Sequence, residues 1–332
     1  MPERGGEART LASVPVRHIA VFIQNRARFG TLVCHIPLID ALRRRYPAAR
    51  LTVVAPFAEA RLLVGDGLAD ALSDWPKGPW AQWRLVRALT PDLAISLRPA
   101  SMFIDLLIGV SGAPIRLGFA TGISRRLFTV VAPRDLGVYR PLNYLRLVEP
   151  LGVRGELSAY LDDLGRRAAP AVDPSAENVC LMPGGASPFK LWGIDNFLAL
   201  ANLIRGDRPA ARFVFVLGPD ERPLRAAIDA SPLGEVSQVL DTPSLGAIAQ
   251  AVRASWVTIA NDCGPSHVAQ LLGCPYVAVY ANHRGQAERI TAQWFRPGPR
   301  ARWVSAPAGA PITDVSPDQV YRGVRAVLAV AS

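Results

Sequence analysis

The residues of this chain best placed to do chemistry lie in the run Asn261-Asp262-Cys263-Gly264-Pro265-Ser266-His267. An apolar segment, 256–260, leads into it and reads as a buried strand. A helical pattern begins near Pro265 and stops at Gly273, and 277–280 reads as the next strand. Residues 262–266 are therefore a strand-to-helix turn at the carboxyl edge of a parallel sheet, where open α/β folds bind ligands. Free N–H groups at such a turn suit a phosphate, and Pro265 fits the first helical turn without losing a bonded N–H. Asp262 beside them can accept hydrogen bonds from sugar hydroxyls, which outlines a nucleotide-sugar site. Taken alone, the same run reads more readily as scaffold, with Asp262 capping the helix. Cys263 reads as a small buried filler, and a thiol with a lowered pKa at a helix start is the alternative.

Two further turns carry matching chemistry. Met182-Pro183-Gly184-Gly185-Ala186-Ser187-Pro188-Phe189-Lys190 combines glycines that let backbone approach an anion, the Ser187 hydroxyl and a point charge at Lys190 suited to a diphosphate. The chain has 35 arginines and only two lysines, Lys77 and Lys190, so a lysine just past a glycine turn reads as a ligand more than as a solvated surface charge. Gly218-Pro219-Asp220-Glu221 ends an apolar strand with carboxylates that suit ribose hydroxyls or, more plainly, an exposed loop.

The elements that must position these turns alternate strand and helix along the chain, the pattern of βαβ units. Strands are expected at 18–24, 51–55, 92–97, 179–182, 213–217 and 239–240, with helices at 32–46, 103–110, 142–151, 194–204, 223–230 and 245–254. At 332 residues, half of them hydrophobic, the chain suits two domains. The division reads as a disordered leader (1–14), an N-terminal Rossmann-like domain (15–165), a Pro-, Ala- and charge-rich linker (166–177) and a C-terminal Rossmann-like domain (178–332). The fold class is α/β, with the two domains expected to face a central cleft. No G-x-G-x-x-G follows the first strand, which argues against a dinucleotide-dependent dehydrogenase.

Composition narrows the function classes. No apolar run reaches the about 18 residues that span a bilayer, and no signal-peptide pattern opens the chain, so a cytoplasmic protein is expected. The four cysteines (Cys34, Cys180, Cys263, Cys274) are scattered, which excludes a disulfide framework or zinc site. The net charge is +10, and residues 1–165 hold 21 Lys and Arg against 14 acids. That basic half predicts an anionic acceptor or a peripheral contact with the inner membrane surface. No nucleic-acid motif accompanies it.

Taken in order, the turns resemble glycosyltransferase family 9, the ADP-heptose:lipopolysaccharide heptosyltransferases, whose fold is GT-B. The family pattern runs P-G-A-S-x-x-x-K-x-W-P, G-G-P-x-E, T-S-L-x-E-L and N-D-S-G-P-M-H-L-A-A-A-L-G-x-P. Here it is matched by 183–192, 218–221, Thr242-Pro243-Ser244-Leu245-Gly246 and 261–275. Segments 18–56 and 91–119 are similar to the family's opening strand–turn–helix and its S-G-A-P-x-R-I-G segment. The resemblance implies an inverting, metal- and cofactor-independent transfer of heptose or a related sugar from an ADP-sugar to an acceptor hydroxyl of a glycan or glycolipid. By it, Lys190, Ser187 and the N–H groups around Cys263 and Gly264 hold the diphosphate. Glu221 takes the adenosine ribose, Asp262 the donor sugar, and His267 lies near phosphate or sugar.

The chain departs from the family at the first turn. The aspartate believed to act as base aligns with Thr31, whose hydroxyl is far too weakly basic. His35, four residues on and so on the same helix face, is the expected replacement, with packing against the domain wall as the alternative. A nucleotide-sugar-binding paralogue without turnover is the reading Thr31 would otherwise support. Ser266 replaces the family's Met, and Tyr280-Ala281-Asn282-His283-Arg284-Gly285-Gln286 replaces its G-P-T. These changes open the acceptor to other classes, a specialised metabolite or a protein. Arg98 and Arg116 are the expected contacts to an anionic acceptor.

Overall fold

The computed structural model describes residues 15–23, 29–98, 101–120 and 122–330; the expected leader and the last residue of the expected first strand, Gln24, lie outside them. The chain divides into two compact units, the first extending to Glu156 and the second beginning at Leu157.

The first unit is built on strands β1 (His18–Phe22), β2 (Arg50–Ala55), β3 (Ala71–Asp74), β4 (Leu93–Ser96), β5 (Ile115–Phe119) and β6 (Val130–Ala132). Among its helices are α1 (Phe29–Arg45), α2 (Pro79–Leu89), α3 (Met102–Gly109), α4 (Ser124–Leu127) and α5 (Arg140–Val148). The strands form one parallel sheet in the order β3-β2-β1-β4-β5-β6. Central strands are apolar on both faces because helices cover both, as in β4, Leu-Ala-Ile-Ser, which is buried throughout. On one side of the sheet Ala20, Phe22, Val86, Ala94, Ile104, Leu107 and Ile108 form a core with Phe128. Phe128 lies directly over the backbone of Gly118, where an added Cβ would come 2.1 Å from the ring.

The second unit repeats the plan. Its strands are β7 (Asn178–Met182), β8 (Arg212–Leu217), β9 (Ser237–Asp241), β10 (Ser255–Asn261), β11 (Tyr276–Tyr280) and β12 (Ala301–Ser305). Its helices are α6 (Ala159–Arg167), α7 (Ile194–Asp207), α8 (Leu224–Asp229), α9 (Leu245–Arg253), α10 (Ser266–Leu272), α11 (Ala287–Trp294) and α12 (Pro317–Ala329). The parallel order is β12-β11-β10-β7-β8-β9, so the order reverses between β7 and β10. The turns after those two strands are thereby neighbours at the switch point, where this fold binds ligands. Trp192 anchors the core beneath the first turn: fully buried, it packs on Phe197 and donates its indole N–H to Val315 O at 2.7 Å.

The division falls earlier than composition suggested. The stretch 166–177 is not a free linker: Gln250 of α9 takes the Ala171 N–H at 3.0 Å and donates to Val172 O at 3.1 Å, and Val172 is buried. Helix α6, most of which falls within the span expected for the first domain, belongs to the second unit. Gly165 lies against Ala249, Gly246 lies against Leu164, and Arg253 pairs with Asp162. Proline and alanine content marks irregular backbone, but one half-buried amide side chain satisfies that backbone and fixes it to α9.

Gly118→Ala forces Phe128 out of place. We expect a loss of about 1–3 kcal/mol, read as a lower urea midpoint, with Phe128→Ala in the same chain relieving the clash but leaving its own cavity cost.

Candidate functional site

The carboxyl edge of the second sheet gathers the turns that follow β7, β8 and β10. Neighbouring strands set the spacing, since Ala260 pairs with Met182 and Leu181 with Phe215. Asn261, fully buried at the end of β10, donates from Nδ2 to Pro183 O at 2.7 Å and so fixes the first turn to the last strand residue before Asp262. Next to Asn261, Asp262 forms an ion pair with Lys190 Nζ at the far end of the first turn. The Asp262 side chain is only 11 % exposed and that of Lys190 26 %, so the pair faces solvent at one edge. An ammonium has three donors and a carboxylate about four acceptor sites, so each partner keeps capacity for a ligand.

Glu221, at the end of the turn after β8, joins the same assembly. Its carboxylate accepts the Gly218 N–H at 3.0 Å and, more weakly, the Gly185 N–H at 3.4 Å. An added Cβ at Gly184 would meet Glu221 at 2.8 Å, and one at Gly218 at 2.7 Å. The glycines read as room for an external anion thus also make room for an internal carboxylate.

The other expected donor-site residues sit as follows. Ser187, half-buried, turns its hydroxyl to Ala186 O at 2.8 Å. Gly264 is half-buried in the turn that opens α10. Cys263 is buried, and burial pushes its thiol up to about 12, with Asp262 and Glu221 adding to the effect. It is a neutral filler, which removes the lowered-pKa alternative. His267 is buried beside Trp294, with Nδ1 3.2 Å from Gln270 Nε2.

In the first unit the structure corrects two expectations. His35 is fully enclosed, its ring 4.5 Å from that of Tyr144 on α5, and neither ring nitrogen has a hydrogen-bond partner. Burial, helped by the Arg140 charge, lowers its pKa to about 3. A general base must touch the hydroxyl it deprotonates, and this ring is sealed in the core. Spacing of four residues fixed its side of the helix but not its depth: residues 32–42 of α1 are all buried, while Thr31 in the first turn is half-exposed. Arg116 is likewise structural, its guanidinium donating to Leu127 O at 2.7 Å and to Ala113 O. Arg98 remains half-buried just past β4 at the carboxyl edge of the first sheet.

Sequence reasoning passed over other features of the second sheet's edge. Phe189, half-exposed beside Lys190, packs its ring 5.6 Å from that of His283 in the turn after β11. That turn is held by Asn282, which donates to Ala306 O at 3.0 Å and accepts the Ala287 N–H at 3.1 Å. Thr242 and Arg284 have left-handed backbones, φ 49° and 57°. Such strain collects at functional loops. An aromatic residue inside a Gly/Ser/Pro turn was the available signal for Phe189; nothing in the one-dimensional pattern marked the two backbones.

The sequence model of glycosyltransferase family 9 (heptosyltransferase) matches residues 130–293, a span that includes all three turns and the ion pair. Over that span the chain carries the family's sequence pattern. It is similar over 268 residues, at 23 % identity and covering 76 % of each chain, to the lipopolysaccharide core heptosyltransferase OpsX of Haemophilus influenzae. Among solved structures, a glycosyltransferase family 9 protein from Veillonella parvula superposes with a TM-score of 0.69 at 18 % identity, covering 96 % of this chain and 98 % of that one. The heptosyltransferase WaaC of E. coli, solved with ADP, also gives 0.69 at 13 % identity, covering 95 % and 99 %. Both establish the GT-B fold.

The enclosed His35 has a consequence for stability. Its folded pKa, about 3, lies below the ordinary 6.5, so the unfolded chain takes up the proton first. The contribution is fully present above pH 6.5 and is lost as pH falls toward 3, by about 2 kcal/mol at pH 5. Urea midpoints of His35→Phe against the parent chain, taken at pH 7 and pH 5, should therefore shift in favour of the variant at the lower pH.

Proposed function

We propose that this glycosyltransferase moves a heptose or closely related sugar from an ADP-sugar to a hydroxyl of the lipopolysaccharide core, with inversion and without a metal ion. The observation that carries the reading is the Lys190–Asp262 pair, which joins the glycine turn after β7 to the turn after β10 at the topological switch point. The match to a lipopolysaccharide core heptosyltransferase over 76 % of the chain supports the acceptor class, and a family relative solved with ADP supports the nucleotide.

In this reading each residue has a distinct task. The Lys190 ammonium lies against the diphosphate and neutralises charge that grows on it as the bond to the anomeric carbon breaks. Backbone N–H groups of the 263–264 turn and the Ser187 hydroxyl take further phosphate oxygens. The Asp262 carboxylate accepts hydrogen bonds from donor-sugar hydroxyls, held at the right height by Lys190 itself. Glu221 spends one acceptor on Gly218 and a weaker one on Gly185, and its remaining lone pairs meet the ribose hydroxyls. The acceptor hydroxyl attacks from the face opposite the diphosphate: a new C–O bond forms, the C–O bond to phosphate breaks, and the hydroxyl proton leaves. Thr31 stands half-exposed at the turn where the acceptor would enter, and Arg98 offers a cation to acceptor phosphate or carboxylate.

Calorimetric titration of ADP, GDP and UDP with EDTA present tests the donor assignment. ADP should bind selectively, and Lys190→Ala should weaken it by about 10- to 100-fold, the range of one lost charge-assisted contact. Equal binding of all three nucleotides, or ADP affinity unaffected by Lys190→Ala, would overturn the assignment.

A further inference from the structure

An uncharged contact also ties the turns of the second sheet's carboxyl edge together. Phe189 and Lys190 are neighbours in the tight turn after β7. Its backbone closes through the Lys190 N–H to Ser187 O at 2.9 Å and the Leu191 N–H to Pro188 O at 3.1 Å. The two side chains diverge. Lys190 reaches Asp262 after β10, whereas Phe189 sets its ring 5.6 Å from that of His283 after β11, the planes tilted by 33°. Phe189 is nonetheless 52 % exposed, so the imidazole braces the ring without covering it. Both residues fall outside the pattern shared with the family: the position before the lysine is open in that pattern, and His283 lies in the segment that replaces G-P-T.

His283 is itself held in place. The Asn282 carbonyl accepts the Gly285 and Gly309 N–H groups at 3.2 and 3.1 Å, and the Asn282 side chain bonds to Ala306 O and the Ala287 N–H. Arg284, next along, sits in the left-handed region at φ 57°, which a non-glycine residue adopts where its surroundings impose it. Strand order fixes which end of a donor meets this aromatic contact. The order β11-β10-β7-β8 puts Glu221, after β8, on one side of the Lys190–Asp262 pair and His283, after β11, on the other. A donor with its ribose at Glu221 and its diphosphate at Lys190 therefore lays its sugar toward Phe189 and His283. A phosphate gains nothing from an apolar ring. A sugar does, because its face of C–H groups carries partial positive charge that the negative face of an aromatic ring attracts.

We propose that Phe189, braced by His283, is the platform on which the C–H face of the donor sugar rests. Phe189 is then a specificity-determining residue, and His283 a positioning residue behind it. The proposal rests on the donor assignment above and adds the part of the site that reads the sugar and not the nucleotide. The Asp262 carboxylate takes sugar hydroxyls while Phe189 takes the C–H face, so the two contacts fix the tilt of the sugar ring together. Adenine would also stack on an aromatic ring, but strand order sets Phe189 away from Glu221 and the ribose.

Calorimetry with EDTA present, using ADP and ADP-heptose as paired ligands, tests the platform. Phe189→Ala should weaken ADP-heptose binding about tenfold and leave that of ADP within about twofold. His283→Ala should weaken ADP-heptose binding about threefold, and His283→Phe, which keeps a ring but no titratable nitrogen, should restore it. Both side chains are exposed, so thermal midpoints of the three variants should stay near that of the parent chain. Equal losses for ADP and ADP-heptose in Phe189→Ala, the result of an adenine platform, overturn the proposal. So does an unchanged ADP-heptose affinity, whether or not the KM for the acceptor rises. Selective ADP binding that depends on Lys190 but a sugar contribution indifferent to Phe189 removes only the platform. A parent chain that binds no ADP removes the donor assignment and the platform with it.

Discussion

The candidate site depends on an ion pair between residues 72 positions apart, Lys190 and Asp262. Neither turn is long enough to have fixed geometry alone. The parallel pairing of β7 with β10 brings the strand ends together, Asn261 pins one turn to the other through Pro183 O, and the pair closes the assembly at its solvent edge. A half-buried carboxylate paired with an ammonium is held in one orientation. The same contact keeps the ammonium from folding back into solvent. Glu221 extends this logic to the turn after β8, holding two glycine turns through their own N–H groups. The site is therefore preorganised by strand register and a small set of charged contacts, on rigid elements and not on loop chemistry alone.

The two units solve different problems with one topology. In the second, polar groups converge on the switch point. In the first, α1 runs through the core with residues 32–42 all buried, so its early residues meet solvent and its middle does not. That depth converts His35 from a candidate base into a packed, neutral ring against Tyr144. Thr31, where the family resemblance places an aspartate, lies half-exposed in the first turn of the helix.

Much of this was legible in the sequence. Glycine, proline and acid at the end of an apolar run mark a strand-to-helix turn on physical grounds, and three such turns in order pointed to one sheet edge and one family. Most central strands declared themselves as apolar runs because both their faces are covered, but β5, interrupted by Arg116 and Gly118, did not. The short edge strands β3, β6 and β12 did not, being half-exposed and without a continuous pattern. Periodicity reports direction around a helix axis but not distance from the surface, which is why His35 misled. Side-chain use was also hidden: Arg116 is occupied by two backbone carbonyls and Gln250 by the backbone of the supposed linker, contacts across 3 to 79 residues that no local pattern encodes.

The central claim is that Lys190 and Asp262 act as one unit on the donor. Its most direct test is a double-mutant cycle in ADP-heptose affinity, measured by calorimetry with EDTA present on the parent chain, Lys190→Ala, Asp262→Asn and the double variant. If each residue positions the other, the losses will be non-additive by about 1 kcal/mol or more, the double variant being little worse than the poorer single one. Strictly additive losses, or single variants that bind ADP-heptose as tightly as the parent chain, would contradict the account.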